Sequence, residues 1–589
     1  MGSIQHNTAD RYWNPNGETD VQSPQWTSYF ENPVSFLLIL TIITLVGQRL
    51  VSSARSHATP VLGQEGVRTV PAAPYWLPYL GHIPNYIFQG PETFLRKLKS
   101  TYSNHGIFSI TLAGHIWNIV WDPEHTARVL GERESMVSNE EITDQMMQSV
   151  FGLPEFDLKK YQAALPEFVA AYKHILGQPG LRNLTADTTQ RLREHIKDFV
   201  TGNESQVDQM PWEKVGEAST TIDKNGCSVV VAKLLPLIKD FVAYSVIPSL
   251  MGTDFLNNNP DFLSELWKFD AGFLLLATGL PRWAPIPVLT TAHIARKKCL
   301  EMLETFHEAM EKEANGDDPG PKWRGLEDVG ALVKARLVIY RKHELSIQSR
   351  AAVELSLMWA SSANSNPMVF WLVERLFADR ALLEMVREEI APYVAATQPQ
   401  SDFALPEPPR FNSFDVEGLI DNCPLLKSCY VECMRLDSVI TNLRVLKQDI
   451  VLRSPDKESE GWLLRKGEIV QATQDLHHTD ENYFNDPMVW KADRHIKPEG
   501  DDKRRVAELG TVRPFGGGAS MCKGRGFALN KIMMYTAAII SMFEIESPTG
   551  GPVIRASQKR AAGTNTSGDS TRVLIKRRVL GPKAKEIAG

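Results

Sequence analysis

Arg513 to Asn530 reads RPFGGGASMCKGRGFALN, and the reading of the whole chain turns on this stretch. Three consecutive glycines, Gly516 to Gly518, let the backbone approach a flat or anionic object in conformations that other residues resist. Phe515 sets an apolar ring beside the turn. Cys522 follows where the helical apolar spacing of FALNKIMMYTAAIISMF takes over. A thiol at a helix N-terminus is biased toward thiolate by the dipole and the free amides, and Lys523 and Arg525 add positive charge. The plain alternative is a Gly-rich turn with an incidental cysteine.

Upstream of this loop, Tyr430 to Arg444 (YVECMRLDSVITNLR) places Glu432 and Arg435 three apart, on one face of a helix. Taken alone, such a pair is usually a solvated face. His478 to Arg494 (HTDENYFNDPMVWKADR) supplies Arg494 as a third charged partner. Further upstream, Ser349 to Phe377 is apolar on nearly every face, as a helix running through a core must be. Pro367 within it has no amide for the carbonyl of Ala363, so the helix should open or kink there.

Towards the N-terminus, Pro33 to Val51 (PVSFLLILTIITLVGQRLV) carries no charge before Arg49. A helix of that length rises about 28 Å, close to the hydrocarbon thickness of a bilayer. Residues 1–32 hold Asp10, Glu18, Asp20 and Glu31 against Arg11, whereas Arg49, Arg55 and Arg68 follow the span against Glu65. Positive-inside logic puts the N-terminus outside and the long remainder in the cytosol. The expected division is therefore a lumenal segment 1–32, a transmembrane anchor 33–51, a linker and proline-rich neck 52–84, and a catalytic domain 85–589. Pro71, Pro74, Pro78 and Pro84 stiffen the neck.

The body shows long apolar-periodic stretches at 230–250, 292–313, 346–378, 380–395 and 525–543, with strand-like material limited to segments such as 107–121, 444–453 and 571–578. The fold class expected is mainly α with a small β region. The 589 residues are 43% hydrophobic and 23% charged, which excludes wholesale disorder. A net charge of −6 argues against a nucleic-acid binder. Six cysteines without a CxxC pair exclude a disulfide scaffold and a zinc ribbon.

Phe515, Gly518, Cys522 and Gly524 satisfy F-x-x-G-x-x-x-C-x-G in full, and with Arg525 and Ala528 the stretch resembles the haem-binding loop of the cytochrome P450 family. Glu432–Arg435 resembles that family's E-x-x-R helix, and Arg494 the arginine that closes its buried network. The resemblance runs from about residue 70 to the C-terminus. It implies a P450 fold after one transmembrane helix, with Cys522 as axial ligand of haem b iron and Phe515, Gly518, Gly524, Arg444 and Arg513 as cofactor-binding residues. A thiolate axial ligand pushes electron density that promotes O–O cleavage.

Trp359-Ala-Ser-Ser-Ala-Asn-Ser-Asn-Pro367 stands where the family carries A-G-x-[D/E]-T-[T/S]. The usual acid is thus Ala363 and the usual threonine Asn364, with Ser365 keeping a hydroxyl one position on. Ala363 relays no protons, and Asn364 donates and accepts hydrogen bonds without titrating. This motif and the one beginning at Glu432 resemble the branch holding cholesterol 7-alpha-hydroxylase, sterol 12-alpha-hydroxylase and prostacyclin synthase. Residues 269–281 and Arg560 to Asn565 sit where that branch places substrate-access and active-site loops; ordinary core and a surface turn are equal alternatives. Ser520 stands where many members have a propionate-binding Arg or His, and Lys523 replaces an apolar residue or proline. No W-x-x-x-R occurs near 155–185, leaving Lys173 or His174 as the candidate substitute.

The function implied is a monooxygenase anchored in the endoplasmic reticulum membrane, with its catalytic domain cytosolic. Electrons would come from NADPH through a cytochrome reductase, with cytochrome b5 as a further donor. The implied substrate is bulky and apolar, a sterol or terpenoid, and the N-terminal extension points to fungal secondary metabolism. Two alternatives stand beside it. One is a rearrangement enzyme of prostacyclin-synthase type, needing no reductant. The other is a non-catalytic haem sensor, for which 357–370 offers no His, Cys or Lys as second ligand.

Overall fold

The structure, a computed structural model, describes residues 33–224, 226–399, 407–454, 457–499, 504–568 and 571–580. The expected lumenal segment 1–32 lies outside the described residues. Helix α1 (Pro33–Ser53) is apolar along its length and none of its most apolar stretch is buried against the rest of the protein. Its last turn is tied to the neck: Arg49 donates to the Pro74 carbonyl at 2.6 Å, and Ser52 Oγ donates to Tyr75 O at 3.0 Å while accepting from Tyr75 N at 3.1 Å. A second helix apolar enough to cross a bilayer, α3 (Leu234–Met251), is 78% buried over its most apolar stretch and is a core helix. The neck packs onto the body rather than standing clear of it, since Ala72 bridges Ser109 and Gly81 bridges Leu112.

Helices dominate, with small sheets at the periphery, as the apolar periodicity required. Helices α2 (Gly180–His195), α3, α4 (Ile347–Ser362), α5 (Ser365–Ala378), α6 (Pro424–Asp437) and α7 (Arg525–Met542) surround the centre. Ser346 starts α4 by accepting the Ser349 amide on its hydroxyl at 3.2 Å, a normal N-cap. From Phe527 onward α7 buries nearly every face. Two expected helices are shorter than their periodicity. Residues 228–233 form a strand before α3 begins at Leu234, and the stretch 380–395 ends as a helix at Ile390 with Val394 opening a strand. In both cases β-branched or small residues at the end pair with another strand, and pairing outweighs the helical pattern.

The main sheet holds β1 (Ile107–Leu112), β2 (His115–Val120), β3 (Thr441–Leu446) and β4 (Ile469–Thr473) in the order β1-β2-β4-β3, with Val137–Ser138 at the edge. β1 and β2 form a hairpin, β2 runs parallel to β4, and β4 is antiparallel to β3. A second sheet joins Phe543–Glu546, Arg572–Arg577, Ser228–Lys233 and Ser219–Ile222. Of these strands, β3 reaches the site, through Asn442.

Candidate active site

The Arg513–Asn530 loop owes its path to two glycines. Gly518 has φ +65°, and a Cβ there would overlap the Leu130 carbonyl oxygen. Gly516 has φ +71°, and its Cβ would lie 2.6 Å from Asn442 Oδ1. At Gly518 no L side chain fits without backbone movement, and at Gly516 one would be strained by its φ and would displace the Asn442 amide. The loop closes when the Cys522 amide donates to Phe515 O at 3.0 Å. Gly524 caps α7, so Cys522 lies just before the helix rather than in its first turn.

Cys522 faces a cavity of about 400 Å³. Phe515, Gly516, Ser520, Met521 and Gly524 line one wall, and Ala360, Ser361, Asn364 and Ser365 line another. The residue keeps exposed surface, and it lines this cavity. Desolvation by burial still pushes its pKa up, against the lowering effects of the Gly524 amide, Arg525 and Lys523. This corrects the expectation from charge alone: Lys523 turns its ammonium to Ala519 O at 2.8 Å, and Arg525 donates to Cys522 O at 3.0 Å. A bound metal cation would reverse the balance, since a coordinating thiol is deprotonated outright.

The central helix is broken where the sequence predicts. Helix α4 ends at Ser362, Ala363 and Asn364 lie between, and α5 begins at Ser365 with Pro367 in its first turn. Ser365 Oγ donates to Ser361 O at 3.1 Å. Ala363 is buried and has no polar side-chain atom to offer. Asn364 lines the cavity, but its Oδ1 is packed against Gly563 and has no hydrogen-bond partner among the described residues. Gly563 and Thr564 complete the wall beside it, so the Arg560–Asn565 segment does reach the cavity. Trp371 of α5 secures this segment by donating to Asn565 O at 2.7 Å. Residues 269–281 do not line the cavity; there Phe273 stacks on Trp359 with ring centroids 4.1 Å apart.

Glu432 and Arg435 form a bidentate pair, with both N···O distances 2.8 Å, and neither side chain is exposed. Arg494 Nε reaches Glu432 at 2.9 Å and its other nitrogens hold Asn485 O and Val489 O. His495 is a fourth member, at 2.9 Å from the other carboxylate oxygen. Burial alone would raise the Glu432 pKa, but the bonds from Arg435 and His495 hold it far below the usual carboxylate range. His478 then links this network to the cysteine loop. Its Nδ1 donates to Arg435 O at 3.2 Å, and its Nε2 accepts the Arg513 amide at 3.3 Å. Burial pushes its pKa down to about 3, consistent with that neutral tautomer. No spacing rule pointed to His495, and His478 was only the first letter of a motif.

Arg444, on β3, contacts the Ser520 hydroxyl and donates to Leu443 O at 2.8 Å. Among the described residues, Arg513 Nε and Asn442 Nδ2 are buried without a hydrogen-bond partner. Arg444 and Arg513 do not themselves line the cavity, but Asn442 does and Arg444 borders it through Ser520. Donors there, beside a thiol and an apolar lining, suit a flat group bearing carboxylates, so the residues present fit haem. Lys173 and His174, the suggested substitutes near 155–185, do not line the cavity; Tyr172 and Ile175 do. Lys531 of α7, unremarked in the sequence because it falls in an apolar helix, also lines it.

Comparison with known proteins agrees. "Cytochrome P450 monooxygenase efuG" of Hormonema carpetanum is 23% identical over 570 residues, 90% of this chain and 93% of that protein. "Cytochrome P450 7B1" of Mus musculus is 26% identical over 526 residues, 87% of this chain and 90% of that protein. "Cytochrome P450 7A1" of Oryctolagus cuniculus is 28% identical over 290 residues, 48% of this chain and about half the relative, 52%. A family model described as Cytochrome P450 matches residues 236–571, more than half of the chain. The chain belongs to the cytochrome P450 family, which implies a haem-thiolate cofactor and an oxidoreductase of the monooxygenase type.

Proposed function

We propose that this protein is a membrane-anchored haem-thiolate monooxygenase that inserts one oxygen atom of O2 into a bulky apolar substrate of sterol or terpenoid type. The observation that carries the reading is that Cys522 and the helix-opening residues Asn364 and Ser365 line one cavity. Cys522 would hold haem b, which when bound would supply oxygen activation with electrons from NADPH through a reductase. The chain's own residues bind, orient and exclude water. Arg444 and Arg513 offer charge to the cofactor's carboxylates, Phe515 and Gly518 shape the loop, and Gly524 caps the helix behind it. The Glu432–Arg435–Arg494 network holds that loop from behind.

Leu184, Leu250, Leu357, Met368, Met434 and Ile440 give the cavity an apolar lining, which favours a hydrocarbon substrate over a charged one. Asn364 contributes its amide to the cavity wall with Oδ1 held against Gly563, and Ser365 keeps its hydroxyl on the Ser361 carbonyl. Helix α1 serves as a single-pass anchor in the endoplasmic reticulum membrane, dividing the chain into 1–32, 33–51, 52–84 and a cytosolic domain 85–589. A relative named "Cholesterol 7-alpha-monooxygenase" of Cricetulus griseus, 28% identical over 49% of this chain, supports a sterol-like substrate.

Absorbance of the reduced, CO-bound protein tests cofactor and ligand together. A red-shifted thiolate-type Soret band that disappears in Cys522→Ala is expected. An imidazole-type band would refute the assignment.

A further inference from the structure

The helix opening lacks an acid at Ala363, yet a titratable group reaches it from another helix. Lys531, on α7, is 1% exposed. Its ammonium donates to the Ser361 carbonyl, one turn before the opening, and to Asn366 Oδ1 at 3.2 Å. Asn366 is held in that orientation because its Nδ2 donates to Lys239 O at 3.0 Å. The Ser361 carbonyl also accepts the Ser365 hydroxyl. Lys531, Ser361, Ser365 and Asn364 all line the same cavity.

We propose that Lys531 holds and hands over the proton at this opening, the task that Ala363 cannot perform. An ammonium has three N–H donors, and two are spent on Ser361 O and Asn366 Oδ1. The third has no acceptor among the described residues and is available to the cavity that Lys531 lines. After release the neutral amine still has two N–H groups for those two acceptors and a lone pair for the cavity. A proton can therefore leave and return without unpinning the side chain. In the transfer one Nζ–H bond breaks, its electron pair stays on nitrogen, and the proton passes to a cavity water and on to the oxygen that needs it. One proton from bulk water restores the ammonium.

The surroundings favour such exchange. Burial lowers the Lys531 pKa to about 7 and is the whole cause of the shift. The groups packed on it from α4, α5 and its own helix are Ser361, Asn366 and the Phe527 ring at 5.8 Å; from α2 the adjacent contacts are Thr185 to Asn530 and Thr189 to Met534. None of these carries a charge that would fix the ammonium. A general acid serves best when its pKa lies near the working pH.

The role rests on the monooxygenase reading, whereas the state of the amine does not, and the experiment separates them. Lys531→Met and, should it fold poorly, Lys531→Gln are compared with the full-length holoprotein. The folded amine binds fewer protons than the unfolded one between about pH 7 and 10, so wild-type stability should gain on the variant's as pH rises through that window. A wild-type-minus-variant melting difference that climbs by several degrees from pH 6.5 to 9.5 supports the proposal; a flat difference overturns it. With NADPH and reductase and no added substrate, the share of consumed O2 released as hydrogen peroxide should rise several-fold in the variant, its reduced-CO band unchanged. An unchanged peroxide share overturns the proposal even if the melting difference climbs. A missing thiolate band in the wild type overturns the functional reading and the role with it, and is told apart because Lys531 has not then been altered.

Discussion

A Cβ added to Gly563 would collide with Asn364 Oδ1. Gly563 also has φ +76°, where an L side chain is strained. The loop residue and the amide at the helix opening thus fix each other's position. Gly563→Ala should cost about 1–3 kcal/mol from backbone strain alone and displace the Asn364 amide from the cavity wall. Melting temperature checks the first effect. A changed low-spin to high-spin equilibrium in the oxidised absorbance spectrum checks the second.

Gly518 presents a harder limit, because its Cβ would overlap the Leu130 carbonyl, a backbone atom with no rotamer to escape into. Gly518→Ala should therefore distort the cysteine loop and lower haem content several-fold. The haem-to-protein ratio of the purified variant measures this; a ratio equal to wild type would show that the loop is not shaped by that contact.

Glu432 gives a pH prediction with a defined sign. Its folded pKa is held far below the unfolded value of about 4.3. The stabilisation is fully present above that unfolded value and is lost as pH falls below it. Glu432→Gln should be destabilised by about 3–5 kcal/mol near neutrality, because Arg435 is left buried without its counter-charge. The gap between wild type and variant should narrow as pH drops from 5 to 3, as followed by denaturant unfolding. A gap constant over that range would mean the pair carries no linked proton.

Helix α1 ends in a staple to the neck through Arg49–Pro74 and Ser52–Tyr75 rather than in packing of its apolar face. Removing residues 1–53 should release the protein from the carbonate-resistant membrane fraction while leaving the reduced-CO band in place. The Asn-x-Ser/Thr sites at Asn183, Asn203 and Asn565 should stay unmodified in a eukaryotic host, as mobility on gels before and after glycosidase treatment will show. Glycan at any of them would reverse the topology.

Much of this protein was legible one residue at a time. The cysteine loop, the E-x-x-R pair, the broken central helix and the apolar N-terminal span are local patterns. Each depends on spacing along one stretch of chain or on a backbone rule such as the missing amide of Pro367. Tertiary structure decided the rest, because those facts depend on groups far apart in sequence. His495 joins Glu432 across 63 residues, and Arg375 pairs with Asp437 across 62. Lys531 reads as an exception in an apolar helix until α7 is laid against the opening in α4 and α5, 170 residues away. The pKa of the Cys522 thiol moves opposite to the sequence expectation: sequence displays the nearby cations, but only the folded surroundings supply the desolvation that opposes them.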